Sequence, residues 1–267
     1  MCYINGIRVS LTEYISFQNQ QWELQQMDRA LLNQPAMRGF EYGPWPIITT
    51  SADATQWILQ PMEWGFIPDY ITDEEALKKF RYGYKDANGI FKPPYTTLNA
   101  IGEELLQPGK MFSHAAKHHR CLVLSSGFYE YRHVTVMGKK GKPLKTPEKF
   151  PYYIGLKTTG EYFFMAGIYN CRTDRQTGEM RHSFAIVTTA ANALMAGIHN
   201  SKKRMPVILT EALAAEWIQP NLSEERINAI ACYQFPANEM MAYTVAKDFL
   251  QQEEPYRPFA FEHLPAI

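Results

Sequence analysis

Apolar residues change their period several times along the chain, and each change marks a predicted element. Between residues 11 and 32 they fall at Leu11, Tyr14, Ile15, Trp22, Met27 and Leu31. That spacing approximates a helical repeat and predicts one or two helices. Residues 34–68 include "YGPWPIITT" and "WILQPMEWGFIP". They are too rich in proline and aromatics for helix, and short strands and turns suit them. "TDEEALKKF" (72–80) predicts a short helix, with Thr72 or Asp73 as its cap and lysines near its end. Residues 81–98, broken by Gly83, Gly89 and Pro93-Pro94, read as a loop.

The centre of the chain is β-branched and aromatic. Strands are predicted at "CLVLSSGFYEYRHVTV" (121–136), "PYYIGLK" (151–157), "EYFFMAGIYN" (161–170), "HSFAIVTT" (182–189) and "MPVILT" (205–210). A basic, Gly/Pro-marked excursion, "MGKKGKPLKTPEKF" (137–150), separates the first two. "TTGE" (158–161) and "RTDRQTGEM" (172–180) have the composition of hairpin turns. Helices follow at 210–218 and at 223–231, the second with Ser223 as cap and acids in its first turn. Strands in mostly antiparallel succession, flanked by helices and without internal repeat or linker, predict one α+β domain over residues 1–267.

Composition narrows the function classes. The 267 residues carry 27 basic and 27 acidic side chains, so any footprint for nucleic acid must be local. Cys2, Cys121, Cys171 and Cys232 form no C-x-x-C pair, which argues against a disulfide framework or a zinc site. No signal pattern and no apolar run long enough for a membrane span is present. A cytoplasmic protein with reduced thiols is expected.

Several residues stand out chemically. Cys2 directly follows the initiator methionine. Removal of Met1 would expose an α-amine beside a thiol. An α-amine titrates near 7.7–8.0, so about a tenth of it is neutral at pH 7 and able to attack a carbonyl. An adjacent thiol can then close a five-membered thiazolidine on an aldehyde, or the thiol can attack an amide. In "GFYEY" (127–131), alternation puts Glu130 on one face with Phe128, where a carboxylate's pKa should rise. The alternative is a strand-end carboxylate in a salt bridge. His199 lies in the polar turn of "IHNSKKRMPVIL" (198–209), where histidine is ordinarily structural or solvated. Lys202, Lys203 and Arg204 beside it form either a solvated turn or a phosphate contact. Asn99 in "TTLNAIGEE" (96–104) reads as a cap, and Trp64 in "EWGFIP" (63–68) as core or as a base-stacking platform. Neighbouring histidines in "KHHRC" (117–121) point apart and make a poor metal site.

Taken in order, the N-terminal Cys, W-G-hydrophobic-I-P, N-A, "RCLVLSSGFYEY" and H…"RMPVIL" resemble the SRAP family, the SOS response-associated peptidases or abasic-site-processing proteins. The resemblance runs over residues 2–209, leaving C-terminal helices and a tail at 210–267. It implies a mostly antiparallel, barrel-like core flanked by helices. It also implies single-stranded DNA with abasic sites as partner, with no cofactor and no metal, and action as a monomer. By motif, Cys2 would form a thiazolidine with the ring-opened sugar after self-removal of Met1. Glu130 and His199 would move protons, Asn99 would position the amine or sugar, and Arg204 would contact phosphate. Lys202 and Lys203 would add to that contact and Trp64 would stack on a base. The chain departs from the family pattern at Tyr3, Ile4 and Ile101, and three extra residues separate His199 from Arg204. The competing expectation is an N-terminal-nucleophile amidohydrolase, which would need a glycine-rich substrate loop and two sheets sandwiched between helices.

Overall fold

A computed structural model describes residues 2–10, 14–23, 26–51, 56–137, 142–157, 160–262, 264, 265 and 267. The first part of the chain runs β1 (Ile4–Arg8), β2 (Tyr14–Phe17), β3 (Gln20–Glu23), α1 (Gln26–Leu31), β4 (Asn33–Arg38), β5 (Pro44–Thr50) and β6 (Trp57–Trp64). Then come α2 (Glu74–Tyr82), β7 (Tyr84–Lys85), β8 (Phe91–Lys92), β9 (Asn99–Ile101) and α3 (Ser113–His118). The centre holds β10 (Arg120–Ser125), β11 (Gly127–Val134), β12 (Glu148–Leu156), β13 (Phe163–Thr173) and β14 (Met180–Ala190). The last part holds α4 (Ala193–Ile198), β15 (Arg204–Pro206), β16 (Ile208–Leu209), α5 (Glu211–Trp217), α6 (Glu224–Ala231) and β17 (Met240–Thr244).

Two sheets build the core. In one, β6, β5, β10 and β13 follow in order, and β14 pairs with both β6 and β13, closing a five-stranded barrel. Closure leaves those strands no free edge where they pair. β14 also carries β15 and β9. The second sheet has the order β17-β12-β11-β1-β4. Together they give the single-domain α+β architecture with a barrel core. Most pairings are antiparallel, but β14 runs parallel to β6 and to β9.

Local chemistry explains the elements. Asp73 caps α2, its carboxylate accepting from Ala76 N, and Ser223 and Thr210 cap α6 and α5 in the same way. The helix expected over 11–32 gives way to a β2–β3 hairpin across 14–23, with α1 after it. The reason is a period of two: Ile15 and Phe17 are fully buried, whereas Ser16 between them is not. The run predicted as one strand at 121–136 is two, split at Ser126, whose hydroxyl donates to Glu161 O and accepts from Arg8 N. Residues 158–159 of the expected TTGE turn, and 138–141 of the basic excursion, lie outside the described residues. The turn at 172–180 forms as expected, with Asp174 accepting from Gln176 N and Thr177 N.

β1 is the strand that matters for the site. It lies between β11 and β4, and a bulge separates Asn5 from Ile7. A Cβ at Gly6 would stand 2.4 Å from Pro35 O, so only glycine lets β4 approach so closely. This packing holds β1 inside the sheet, one strand in from its edge.

Candidate active site

Cys2 precedes β1 and is fully buried. Its thiol lies 3.6 Å from Ile4 O. The pairing of β1 with β11 runs from Gly6↔Gly127 to Ile4↔Tyr129, so one step further along the ladder stands Glu130. Burial pushes the Cys2 thiol far above its ordinary range, and the nearby Glu130 charge pushes it in the same direction. The thiol is therefore held protonated.

Glu130 shares the buried face of β11 with Phe128, as alternation requires, and faces Tyr152 of β12 across the ladder. Burial raises its pKa from 4.5 to about 7. His199 caps the C-terminal end of α4, its N–H donating to Met195 O. It is nearly buried, and desolvation lowers its pKa from 6.5 to about 4. Its Nε2 is 3.9 Å from Glu130 Oε2. Nδ1 lies 2.9 Å from Arg204 O and 3.3 Å from Arg204 N, so the Arg204 backbone holds one side of the imidazole while Nε2 faces the carboxyl. At neutral pH the pair is an unusual one: the imidazole is neutral and the carboxyl is poised to hold or release its proton.

The turn that carries His199 is fixed at both ends. Lys203 adopts a left-handed φ of 50° and its N–H donates to His199 O. The longer step from His199 to Arg204 thus folds back on itself, and the Arg204 carbonyl still reaches the imidazole. Asn200 docks the turn on β11: His133 N donates to its Oδ1 at 3.0 Å and its Nδ2 donates to His133 O at 2.7 Å. Sequence reasoning missed Asn200, because its signal is a contact between segments 67 residues apart. Asn99 enters from β9, which runs parallel to β14. Its Nδ2 donates to Cys2 O at 2.8 Å, and its buried Oδ1 has no partner among the described residues.

Cys2, Asn99, Glu130 and His199 therefore converge from four segments. The other expected contacts do not join them. Trp64 is fully buried: its Nε1 donates to Leu98 O, and its ring stacks on Phe184 with centroids 6.3 Å apart. No ring face is left for a base, so the stacking expectation for Trp64 fails on burial. Arg204 holds Glu103 with its two terminal guanidinium nitrogens, at 2.8 and 2.7 Å, and donates to Thr188 O as well. Its charge is engaged by that carboxylate here, so a phosphate would have to displace Glu103 to reach it. Glu103, the missed partner, lies four residues beyond Asn99 in sequence. Lys202 and Lys203 are exposed at the turn, available to solvent or to an anion.

The sequence profile of the SOS response associated peptidase (SRAP) family matches residues 7–251. The chain belongs to the SRAP family. Among relatives of this SRAP chain, the abasic site processing protein YoqW of Bacillus subtilis is 29% identical over 200 residues, 75% of each chain. The abasic site processing protein YedK of Escherichia coli is 26% identical over 230 residues, covering 82% of this chain and 86% of its own. A Bacteroides thetaiotaomicron protein of known crystal structure superposes with a TM-score of 0.74 at 28% identity, over 97% of this SRAP chain and all of its own. The profile begins beyond Cys2, so the convergence on Cys2 is an observation independent of that match. Among the described residues, no SRAP helix is long and apolar enough to cross a membrane.

Proposed function

We propose that this chain processes abasic sites in single-stranded DNA, capturing the ring-opened sugar on Cys2 as a thiazolidine once Met1 has been removed. One observation carries the reading. The residue destined to become the amino terminus is buried beside a carboxyl and an imidazole whose pKa values are displaced in opposite directions. That is the arrangement general acid–base chemistry needs. Two relatives are themselves named abasic site processing proteins, which supports the same substrate class.

The chemistry follows from those residues. Hydrolysis of the Met1–Cys2 bond frees the α-amine. Glu130, half-protonated near pH 7, assists opening of the sugar to its aldehyde. The amine nitrogen attacks the aldehyde carbon, and the neutral imidazole of His199 takes the proton that nitrogen sheds. Glu130 protonates the departing hydroxyl, water leaves, and an imine remains. The Cys2 sulfur then adds to the imine carbon while its proton passes to the nitrogen, closing the ring. A thiol held protonated suits this order, since the amine attacks first and sulfur second. Asn99 fixes the Cys2 carbonyl, and its open Oδ1 is placed to accept from the new amine or from a sugar hydroxyl. One chain supplies every group, consistent with action as a monomer. An amidohydrolase of the N-terminal-nucleophile type would require a two-sheet sandwich between helix layers, and a closed five-stranded barrel is a different architecture.

The test is a denaturing gel of the mature protein incubated with abasic single-stranded DNA. Wild type is expected to give a denaturation-resistant adduct one water lighter than the sum of its parts. Cys2→Ala is expected to give none while still binding DNA. An equal adduct from Cys2→Ala would reject the proposal, and intact mass of the free protein reports whether Met1 has left.

A further inference from the structure

With Trp64 walled into the core and Arg204 locked on Glu103, the nucleotides beside a captured sugar must be gripped by other side chains. The turn after β4 offers them. Gly39 N donates to Tyr3 O at 2.9 Å, which staples this turn to the residue directly after the nucleophile. Phe40, next in the turn, is 51% exposed, and its ring lies 5.2 Å from that of Tyr3 at an interplanar angle of 42°. Tyr3 is half-buried, with one edge packed on the core. Burial raises its phenol pKa, and the Glu130 charge adds to the rise, so the ring stands within electrostatic reach of the site. A single exposed phenylalanine is ordinary on a protein surface. This one is paired with a second ring beside Cys2. Arg38 lies opposite Ile4 in the β1–β4 register, so alternation puts it on the other face of the sheet, where its charge acts on Tyr131. Lys202, exposed, bears on His199 with its charge.

We infer that the Tyr3–Phe40 pair is a stacking platform for the base that flanks the abasic sugar, with Lys202 on a neighbouring phosphate. The inference rests on the abasic-site reading and deepens it. An aromatic face beside a cation is the arrangement by which proteins hold single strands without reading sequence, because every base has a π-face and every linkage a charge. It also gives Tyr3, a departure from the family pattern, a role of its own. The platform therefore grips flanking nucleotides by stacking and charge and carries no base preference.

The experiment uses mature full-length protein and single-stranded DNA bearing a tetrahydrofuran sugar, which has no aldehyde and binds only noncovalently. Phe40→Ala is expected to weaken that binding by roughly 5- to 100-fold, the range for loss of one base–aromatic stack. Phe40→Trp is expected to bind within about twofold of wild type, since a larger π-face replaces the first. The decisive arm removes the flanking base from the DNA, first on one side of the lesion and then on the other. On one side only, wild type and Phe40→Ala should converge. Equal binding by wild type and Phe40→Ala, or a penalty that persists whichever base is removed, overturns the platform. Adduct formation with true abasic DNA is measured alongside. An adduct without Phe40 dependence rejects the platform alone. A Phe40-dependent stack with no adduct rejects the capture chemistry and leaves the platform standing.

Discussion

Two acid–base pairs flank the same short turn, and they behave in opposite ways. Glu103 and Arg204 meet through two well-made hydrogen bonds, and Ala190 N also donates to the carboxylate at 3.0 Å. Despite partial burial, these partners hold the Glu103 carboxyl below its usual range. Glu130 and His199, five residues from Arg204 along the chain, stand 3.9 Å apart and buried. Burial there displaces both pKa values against ionisation, to about 7 and about 4. In the first pair the Glu103 carboxyl is held ionised, and the pair is chemically quiet. The second keeps its protons mobile. The contrast teaches that the reactive pair is distinguished by burial that opposes ionisation rather than by residue type.

The largest effect that can break this comparison is on rate. Glu130→Gln keeps the shape and the strand but has no proton to give or take. Single-turnover adduct formation at pH 7 is expected to slow on the order of 100-fold or more, the usual scale for a positioned acid–base group. Glu103→Gln should change it little. If the two variants slow adduct formation equally, the distinction between the pairs is false.

Stability against pH sharpens it next. Glu130 has its folded pKa raised from 4.5 to about 7, so its contribution is full below pH 4.5 and is lost as pH rises through 7. His199 has its folded pKa lowered from 6.5 to about 4, so its contribution is full above pH 6.5 and is lost as pH falls through 4. Each amounts to about 3 kcal/mol over its window, and between about pH 4.5 and 6.5 the two slopes oppose and cancel. Wild type should thus show a flat contribution from the pair there. Glu130→Gln should become more stable from pH 4 to 6.5, and His199→Gln less stable from pH 4.5 to 7. Urea titrations at fixed pH measure this, and parallel curves for all three proteins would reject the assignment.

How much of this was legible in the sequence follows the range of the forces involved. The α2 helix was, because Asp73 and its first-turn acids act within one turn. Glu130's burial was, because alternation in "GFYEY" acts within one strand. The 14–23 hairpin was misread since Tyr14, Ile15 and Trp22 fit a loose helical count, while the alternation of Ile15, Ser16 and Phe17 is only three residues long. The barrel's closure depends on β14 meeting β6 in parallel, more than a hundred residues away, and no local pattern encodes that. The burial of Trp64 and the pairing of Arg204 were hidden for the same reason. Whether a tryptophan faces solvent, or an arginine is already matched, is decided by Leu98, Phe184 and Glu103, which only the fold brings near.

The smallest expected effect tests the quiet pair directly. Glu103 is more than a third exposed in its side chain, so solvent screens part of the attraction, and the coupling between Glu103 and Arg204 should be only about 1 kcal/mol. A double-mutant cycle with Glu103→Gln and Arg204→Gln, read by urea denaturation, measures it. The same variants discriminate structure from recognition. Were Arg204 a phosphate ligand, Arg204→Gln would flatten the salt dependence of DNA binding by about one counterion, and Glu103→Gln, by freeing the guanidinium, would steepen it. With Arg204 committed to Glu103 and to the Thr188 carbonyl, both salt slopes should match wild type, and only the denaturation midpoints should move. A flattened slope for Arg204→Gln would show that the arginine exchanges its carboxylate for DNA, and that the pair counted as quiet is a latch.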